Sequence, residues 1–275
     1  MNCLKVIFRF YVYANFHVAI AIWCLVSITG EIYGIDTFYP ALILSLATFV
    51  SYNGIRYVKF MNKALQLDLA RWFSHHKTIL LCFNLIACVL LLYLLRYLSL
   101  PTLFFLVPFT VLTTLYIIPS SLRINLPSLR SVPSLKIFCI SISWGLLVSL
   151  FPLVSASVPL GFKEVLFGLH QILFVFVLCL PFDIRDIDFD SRDLKTIPQL
   201  LGVHFTIYAG LIILLCIFLI EWMIFNTHQL LVSMVPITIL SLLLFLAKCK
   251  PSHYFASFWV EAIPIFWFLT FVFLS

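Results

Sequence analysis

Charged residues are scarce in this sequence, and their scarcity excludes a water-soluble protein. Only 10% of the 275 residues are charged, whereas 63% are hydrophobic and the mean hydropathy is +1.14. Apolar runs recur from about Tyr11 to the last residue, which leaves no room for a large soluble domain. The sequence therefore predicts an all-α polytopic membrane protein in which residues 1–275 form a single membrane-embedded domain.

Paired cysteine motifs are also missing. The eight cysteines include no CxxC pair, and most of them lie within apolar runs. Small apolar side chains inside helices are the ordinary interpretation of such cysteines. We expect neither a disulfide nor a zinc site.

A membrane-crossing helix requires about 20 mainly apolar residues. Nine segments of the sequence meet this description: residues 11–29, 36–52, 78–98, 102–118, 135–154, 164–182, 203–224, 229–247 and 255–274. The basic residues support this count and give an orientation. With the N-terminus in the cytoplasm, 15 of the 17 Lys and Arg residues fall on the cytoplasmic side, and only Arg96 and Lys163 fall opposite.

This charge bias predicts a cytoplasmic N-terminus and a C-terminus on the other side. Lys5 and Arg9 precede the first apolar run without a small-residue cleavage site, so we expect a retained first helix. The simple bias suits a bacterial cytoplasmic membrane. The loop 53–77 contains apolar residues at near-helical spacing, including Leu65, Leu69 and Trp72, which predicts an interfacial amphipathic helix there.

Acidic residues are concentrated at one place. Of the 11 Asp and Glu residues, five fall between Asp183 and Asp193, directly after an apolar run. Such a cluster at the mouth of a membrane helix is costly without a partner. If the helix continues through residues 183–193, four carboxylates share a stripe about 80° wide, with Asp188 on the opposite side. These four are Asp183, Asp186, Asp190 and Asp193.

Magnesium suits this stripe, because Mg²⁺ binds a few carboxylate oxygens and completes its octahedron with water and phosphate oxygens. Arg185, Arg192 and Lys195 add cations able to hold a diphosphate. The residues thus favour a magnesium–diphosphate site next to lipid. A solvated acidic loop paired with its own Arg and Lys residues is the alternative.

Residues 183–202 resemble the second Asp-rich motif of the UbiA-type intramembrane aromatic prenyltransferases, especially the branch that prenylates dihydroxynaphthoate in menaquinone synthesis. The matching elements are an Arg-Asp-x-x-x-Asp core at 185–190, Lys-Thr at 195–196 and Leu-Gly at 201–202. The nine spans, and Lys136, Trp144 and Pro152 around the fifth span, are also similar to this superfamily.

The resemblance implies a prenyltransferase-like helical barrel around a central cavity that opens to lipid. The implied activity is transfer of an isoprenyl group from an isoprenyl diphosphate to an aromatic or quinone-precursor acceptor. Magnesium would be held by Asp183, Asp186 and Asp190, with Arg185 and Lys195 on the diphosphate. The expected partners are these two substrates and the lipid bilayer, with no nucleic acid.

The family's first motif, Asn-Asp-x-x-Asp, is degenerate here. The second span ends in Asn53-Gly54-Ile55-Arg56, which retains the asparagine and lacks both aspartates. Three explanations are open. In the first, the protein uses one magnesium ion, and Arg56 and Lys59 replace the second ion as diphosphate binders beside Asn53. In the second, it transfers a different group. In the third, it is a catalytically silent relative that binds a polyprenyl lipid or supports a partner protein.

Polar residues inside the spans are further candidates. Asn84 and Glu261 are expected to line the cavity, although helix–helix hydrogen bonding and pairing with a Lys or His are equally good interpretations. His170 and Glu221 lie far from the Asp-rich segment and are expected to have structural roles. A transporter is a third functional class, but the sequence lacks visible inverted repeats and acidic residues at mid-membrane depth on several spans.

Overall fold

A computed structural model describes residues 3–63, 65, 67–117, 134–188, 191, 194–249 and 254–274, and within them the regular structure is helical, without a strand. The helices are α1 (Cys3–Tyr13), α2 (Phe16–Tyr33), α3 (Phe38–Met61), α4 (Leu67–Leu95), α5 (Leu100–Ile117), α6 (Leu135–Ser155), α7 (Phe162–Asp186), α8 (Ile197–Leu201), α9 (Val203–Ile224), α10 (Thr227–Leu246) and α11 (Ile263–Leu274). A 3₁₀ turn (Ala247–Cys249) follows α10, and a π-helical segment (Phe255–Val260) precedes α11.

Eight segments among the described residues are long and apolar enough to cross a membrane. They are α2, α3, α4, α6, α7, α9, α10 with its 3₁₀ turn, and the π-helical segment with α11. The protein is therefore a helical, multi-pass membrane protein, as the hydropathy predicts. The predicted span 102–118 corresponds to α5, whose apolar part, Leu100–Tyr116, is shorter than the other eight.

The predicted first span, 11–29, is wrong at its beginning. The chain breaks after α1, because Asn15 adopts a left-handed conformation with φ of 65°, and α2 begins at Phe16. Asn15 Nδ2 donates to Asn53 Oδ1 over 2.8 Å, and Asn53 Nδ2 donates to the Ala14 carbonyl over 3.1 Å. These hydrogen bonds tie the α1–α2 turn to α3, and they satisfy polar groups that would otherwise be buried unpaired.

The expected interfacial helix in the loop 53–77 is also wrong. α3 continues to Met61 and α4 begins at Leu67, so both helices extend beyond their apolar segments. Phe60 of α3 packs against Phe73 of α4 with ring centroids 5.1 Å apart. Apolar side chains in this region therefore join two long helices instead of forming a separate one.

Six helices make a closed circuit of neighbours: α2 packs on α6, α6 on α7, α7 on α9, α9 on α10, α10 on α11 and α11 on α2. α3 packs against α2 and α6, while α4 and α5 lie further out. Gly145 makes the α6–α7 approach close, since a Cβ there would lie 2.5 Å from Ile172 Cα. Small residues allow such contact between membrane helices. This interface aligns the beginning of α6 with the end of α7.

Candidate functional site

Charged side chains from four elements meet at one end of the helical bundle, where α3 and α7 end and α6 begins. We call this group the charged cluster. Its members are Arg56 of α3, Lys136 of α6, Asp183, Arg185 and Asp186 of α7, and Glu261, which follows the π-helical segment. Three cations thus lie beside three carboxylates, at the end of helices that are otherwise apolar.

Asp183 is the most deeply placed carboxylate of the cluster. Lys136 Nζ donates to Asp183 Oδ1 over 3.0 Å, and the Asp183 side chain is only 5% exposed. The ammonium compensates a carboxylate that lies largely away from water. Among the predicted magnesium ligands, Asp183 is therefore already neutralised by a protein cation.

Asp186 lies one helical turn further on and is more accessible. Arg185 binds it in a bidentate manner, with Nε to Oδ1 at 2.7 Å and Nη2 to Oδ2 at 2.9 Å. The third donor of this guanidinium, Nη1, reaches Ser257 Oγ over 3.0 Å in the π-helical segment. The Asp186 side chain keeps 24% exposure. This arrangement links the end of α7 to the segment that precedes α11.

The predicted acidic stripe is only partly helical. α7 includes Asp183 and Asp186, but Ile187 and Asp188 form a turn after it. Asp190, Arg192 and Asp193 lie outside the described residues. Among the residues that the structure does describe, no group of three or more His, Cys, Asp and Glu side chains could hold a metal ion.

Glu261 joins the cluster from within the last candidate span, between the π-helical segment and α11. It lies near the guanidinium groups of Arg185 and Arg56, close enough for both to interact with its carboxylate electrostatically. Pairing with a Lys or a His was one of the two interpretations of Glu261, and the charged neighbours in the structure are arginines. Its expected role in lining a cavity stays a prediction. The π-helical turn at 255–260 precedes Glu261, and its Ser257 contacts Arg185.

Arg56 has spare hydrogen-bonding capacity. Its Nη1 atom is buried and has no hydrogen-bond partner in the described part of the chain. Tyr52, one turn earlier on α3, also lies near Glu261 and Cys179, and its ring packs edge-on against Trp144 at 5.9 Å. Sequence reasoning missed Tyr52, although its i, i+4 spacing to Arg56 places both on one helix face.

The other predicted diphosphate binders have different surroundings. Asn53 is 2% exposed, and protein partners occupy its side chain, as described for the α1–α2 turn. Lys59 lies one turn beyond Arg56 and is half-buried. Lys195 is exposed, and its carbonyl accepts a hydrogen bond from Ser134 Oγ at 2.6 Å, which attaches this loop to the start of α6.

Asn84 does not join the charged cluster. Its Nδ2 atom donates to the Leu80 carbonyl of its own helix over 3.1 Å, and its buried Oδ1 has no partner among the described residues. The expected role of Asn84 in lining a cavity stays a prediction.

Helix α1 covers part of the charged end with aromatic side chains. The Arg9 guanidinium lies 5.1 Å from the centre of the Tyr13 ring, and Tyr13 packs edge-on against Trp72 of α4. Burial, with a smaller contribution from Tyr254, raises the pKa of Tyr13 to about 12. Tyr13 therefore stays a neutral phenol near Arg56.

A second buried polar group lies near the opposite end of the bundle. His170 Nε2 and Glu221 Oε1 are 2.9 Å apart, and Ser233 Oγ donates to Glu221 Oε2 over 2.8 Å. All three side chains are at most 1% exposed. They connect α7, α9 and α10, which agrees with the structural roles expected for His170 and Glu221.

Comparison of the chain with protein-family models, with curated proteins and with solved structures finds no match. The geometry of the charged cluster, together with the motif that it contains, is therefore the basis for a functional proposal.

Proposed function

We propose that this protein transfers an isoprenyl group from an isoprenyl diphosphate to an aromatic or quinone-precursor acceptor within the membrane. The bond between the prenyl carbon and the diphosphate oxygen breaks, a bond to a ring carbon of the acceptor forms, and the ring proton leaves. The products are the prenylated ring, diphosphate and a proton. The observation that carries this proposal is the convergence of Arg56, Arg185 and Lys136 with carboxylates at the end of an apolar bundle.

The cations of the cluster are suited to a diphosphate. Arg56 has a buried Nη1 without a partner in the described chain, and a phosphate oxygen would satisfy it. Arg185 and Lys136 are already paired with carboxylates, so their positions are held before any ligand arrives. In this proposal Glu261 keeps Arg56 and Arg185 close together despite their mutual repulsion. Lys59 and Lys195, at the margins of the cluster, complete the diphosphate-binding set.

The donor set suits magnesium in chemical type. Mg²⁺ in such sites takes one or two carboxylates together with water and substrate phosphates, and the Asp186 carboxylate keeps 24% exposure. We propose that Asp186 and Asp190 hold this ion, while Asp183 is paired with Lys136. When bound, magnesium would neutralise charge that develops on the departing diphosphate.

The surrounding helices would supply a dry environment for the reaction. We propose a central cavity that continues from the charged cluster between the spans, with α5 as a ninth span. Three side chains support this cavity, because they are surrounded by helices and yet keep part of their surface accessible. They are Tyr52, Arg56 and Glu261. Exclusion of water protects an allylic cation from hydrolysis. The distribution of Lys and Arg supports a cytoplasmic N-terminus in a bacterial cytoplasmic membrane.

The test is magnesium-dependent release of diphosphate from an isoprenyl diphosphate by the purified full chain, with and without a panel of aromatic acceptors. The informative variant is Asp186→Asn, and the matched control is Glu31→Gln, because Glu31 is an exposed acid at the end of α2, away from the charged cluster. Acceptor-dependent release that is lost in Asp186→Asn and kept in Glu31→Gln supports the proposal. Equal release by both variants contradicts it.

A catalytically silent relative that binds a polyprenyl lipid is the second candidate. One observation favours it: two carboxylates of the Asp-rich segment are each paired with a protein cation, Asp183 with Lys136 and Asp186 with Arg185. A silent relative would bind an isoprenyl diphosphate without releasing diphosphate for any acceptor. Binding measured beside turnover on the same preparation therefore separates the two functions.

A further inference from the structure

A cleft of about 310 Å³ lies between α1 and the beginning of α4, apart from the charged cluster. We call it the interfacial cleft. Its lining residues are Arg9, Asp68, Arg71, Trp72, His75 and His76. Four of these six side chains can carry positive charge, and only Asp68 is acidic. With neutral histidines, two arginines face one aspartate, so the cleft has a net positive charge.

Arg9 is the more buried of the two arginines, and the protein satisfies its hydrogen-bonding groups only in part. Arg9 Nε is buried and has no hydrogen-bond partner among the described residues. Its guanidinium lies over the Tyr13 ring, which fixes it beside the cleft. Arg71 is exposed one turn after Asp68. An oxyanion between Arg9 and Arg71 would receive charge-assisted hydrogen bonds from the two guanidinium groups.

Aromatic contacts make one wall of the cleft rigid. The His76 ring stacks on Trp72 with centroids 4.5 Å apart and an angle of 18° between the planes. Phe10 of α1 packs edge-on against the same two rings at 5.8 Å. Trp72 is 8% exposed, so it belongs to the packed structure and not to a mobile surface. The cleft therefore has a built shape.

The two histidines present defined ring nitrogens. His75 Nδ1 donates to the Arg71 carbonyl over 2.9 Å, and His76 Nδ1 donates to the Trp72 carbonyl over 2.8 Å. Because a carbonyl only accepts, each Nδ1 carries the proton, and each neutral ring offers Nε2 as an acceptor. Acceptors next to two arginines suit a ligand that combines a phosphate with hydroxyl groups.

The cleft lies beyond the polar end of the apolar part of α4. The apolar part of α4 begins at Thr78, directly after Lys77. Arg71 precedes Thr78 by seven residues, which is about 10 Å along a helix. The headgroup layer occupies about 5–8 Å on each side of the hydrocarbon core. Because Arg71 lies only a few ångströms beyond this layer, its long side chain can bring its guanidinium to a phosphate of the adjacent leaflet. Arg9 lines the same cleft.

We propose that the interfacial cleft binds a phosphate ester that carries hydroxyl groups, with the phosphate between Arg9 and Arg71 and the hydroxyls on His75 and His76. This site goes beyond the proposed transferase function and does not depend on it. The ester is either the headgroup of an anionic phospholipid or a soluble glycerol phosphate. Both sources share the same chemistry, and separate measurements distinguish them.

The experiment uses the full chain purified in a mild detergent. Native mass spectrometry measures retention of phosphatidylglycerol and of zwitterionic phosphatidylcholine, and calorimetry measures binding of soluble glycerol phosphate. The variants are Arg71→Gln and the double variant Arg9→Gln, Arg71→Gln. The matched control is Lys77→Gln, which removes an exposed cation from α4 outside the cleft.

Loss of one charge-assisted contact lowers affinity by about tenfold. We expect the protein to retain phosphatidylglycerol more strongly than phosphatidylcholine. Retention of phosphatidylglycerol should be about tenfold weaker in Arg71→Gln and weaker again in the double variant. It should be unchanged in Lys77→Gln. The same pattern with glycerol phosphate alone supports the site and assigns it to a soluble ligand. Because Arg71 is exposed, its single variant keeps the test valid if the double variant does not fold. Equal binding of both ligands by Arg71→Gln and by the unaltered protein overturns the proposal.

Discussion

Lys136 and Asp183 form an ion pair of 3.0 Å that joins the first turn of α6 to the last turn of α7. The Lys136 side chain is 29% exposed and that of Asp183 is 5% exposed, so the carboxylate depends on the ammonium more than on water for compensation. Asp186 follows three residues later on the same side of α7. The pair therefore helps to determine where α7 presents the acidic group of the proposed active site.

Replacing one partner of this pair is expected to destabilise the protein. Asp183→Asn leaves the Lys136 ammonium without its counter-charge, at a cost of about 1–3 kcal/mol in the free energy of unfolding. The measurement is thermal unfolding in detergent. The double variant Asp183→Leu, Lys136→Met removes both charges and should recover much of the loss. An Asp183→Asn variant as stable as the unaltered protein would show that the pair contributes nothing.

Gly145 tests the close approach of α6 and α7. A Cβ at this position would lie 2.5 Å from Ile172 Cα, so Gly145→Ala forces the helices apart. We expect a loss of about 1–3 kcal/mol in unfolding free energy and a lower yield of monodisperse protein. Gly54→Ala is the matched control, because nothing lies within 4 Å of a Cβ there and alanine favours helix. Equal yields of the two variants would contradict the tight α6–α7 interface.

The buried group around Glu221 is predicted to act as a unit. Glu221→Leu removes the Nε2 partner of His170 and one of two acceptors of Ser233 Oγ, which also donates to the Leu230 carbonyl at 2.9 Å. A buried polar atom left without a partner costs about 1–3 kcal/mol, so the orphaned His170 ring is expected to lower thermal stability. Adding His170→Leu to Glu221→Leu removes the larger orphaned group and should restore part of the stability. Additive losses in the double variant would show that the two side chains are not coupled.

Hydropathy was sufficient to predict the helical membrane architecture, because a spanning helix requires a long run of apolar residues that is visible in the local sequence. The neighbours of Glu261 could not be predicted from hydropathy. Its neighbours, Arg56 and Arg185, lie on α3 and α7, and no local pattern states which distant helices meet. The helix break at Asn15 was not predicted for a similar reason, since the turn is stabilised by Asn53, which lies 38 residues away in the sequence. The motif at 183–202 identified part of the cluster, and packing determined the rest.

Arg56 offers the sharpest test of diphosphate binding at the charged cluster. Its Nη1 lacks a partner in the described chain, whereas Arg185 and Lys136 are held by carboxylates. Arg56→Gln is expected to raise KM for an isoprenyl diphosphate by about tenfold or more, which corresponds to one charge-assisted hydrogen bond. The effect on kcat should be smaller if the contact forms equally with substrate and transition state.

The matched control is Lys63→Gln, because Lys63 is an exposed cation just beyond the end of α3. If the protein binds without turnover, the same comparison is made on the Kd for the diphosphate. A rise in KM or Kd confined to Arg56→Gln assigns the diphosphate to the face of α3 that carries Tyr52 and Arg56. An equal rise in both variants would reduce the effect to general electrostatic attraction, and no change in Arg56→Gln would remove this arginine from the site.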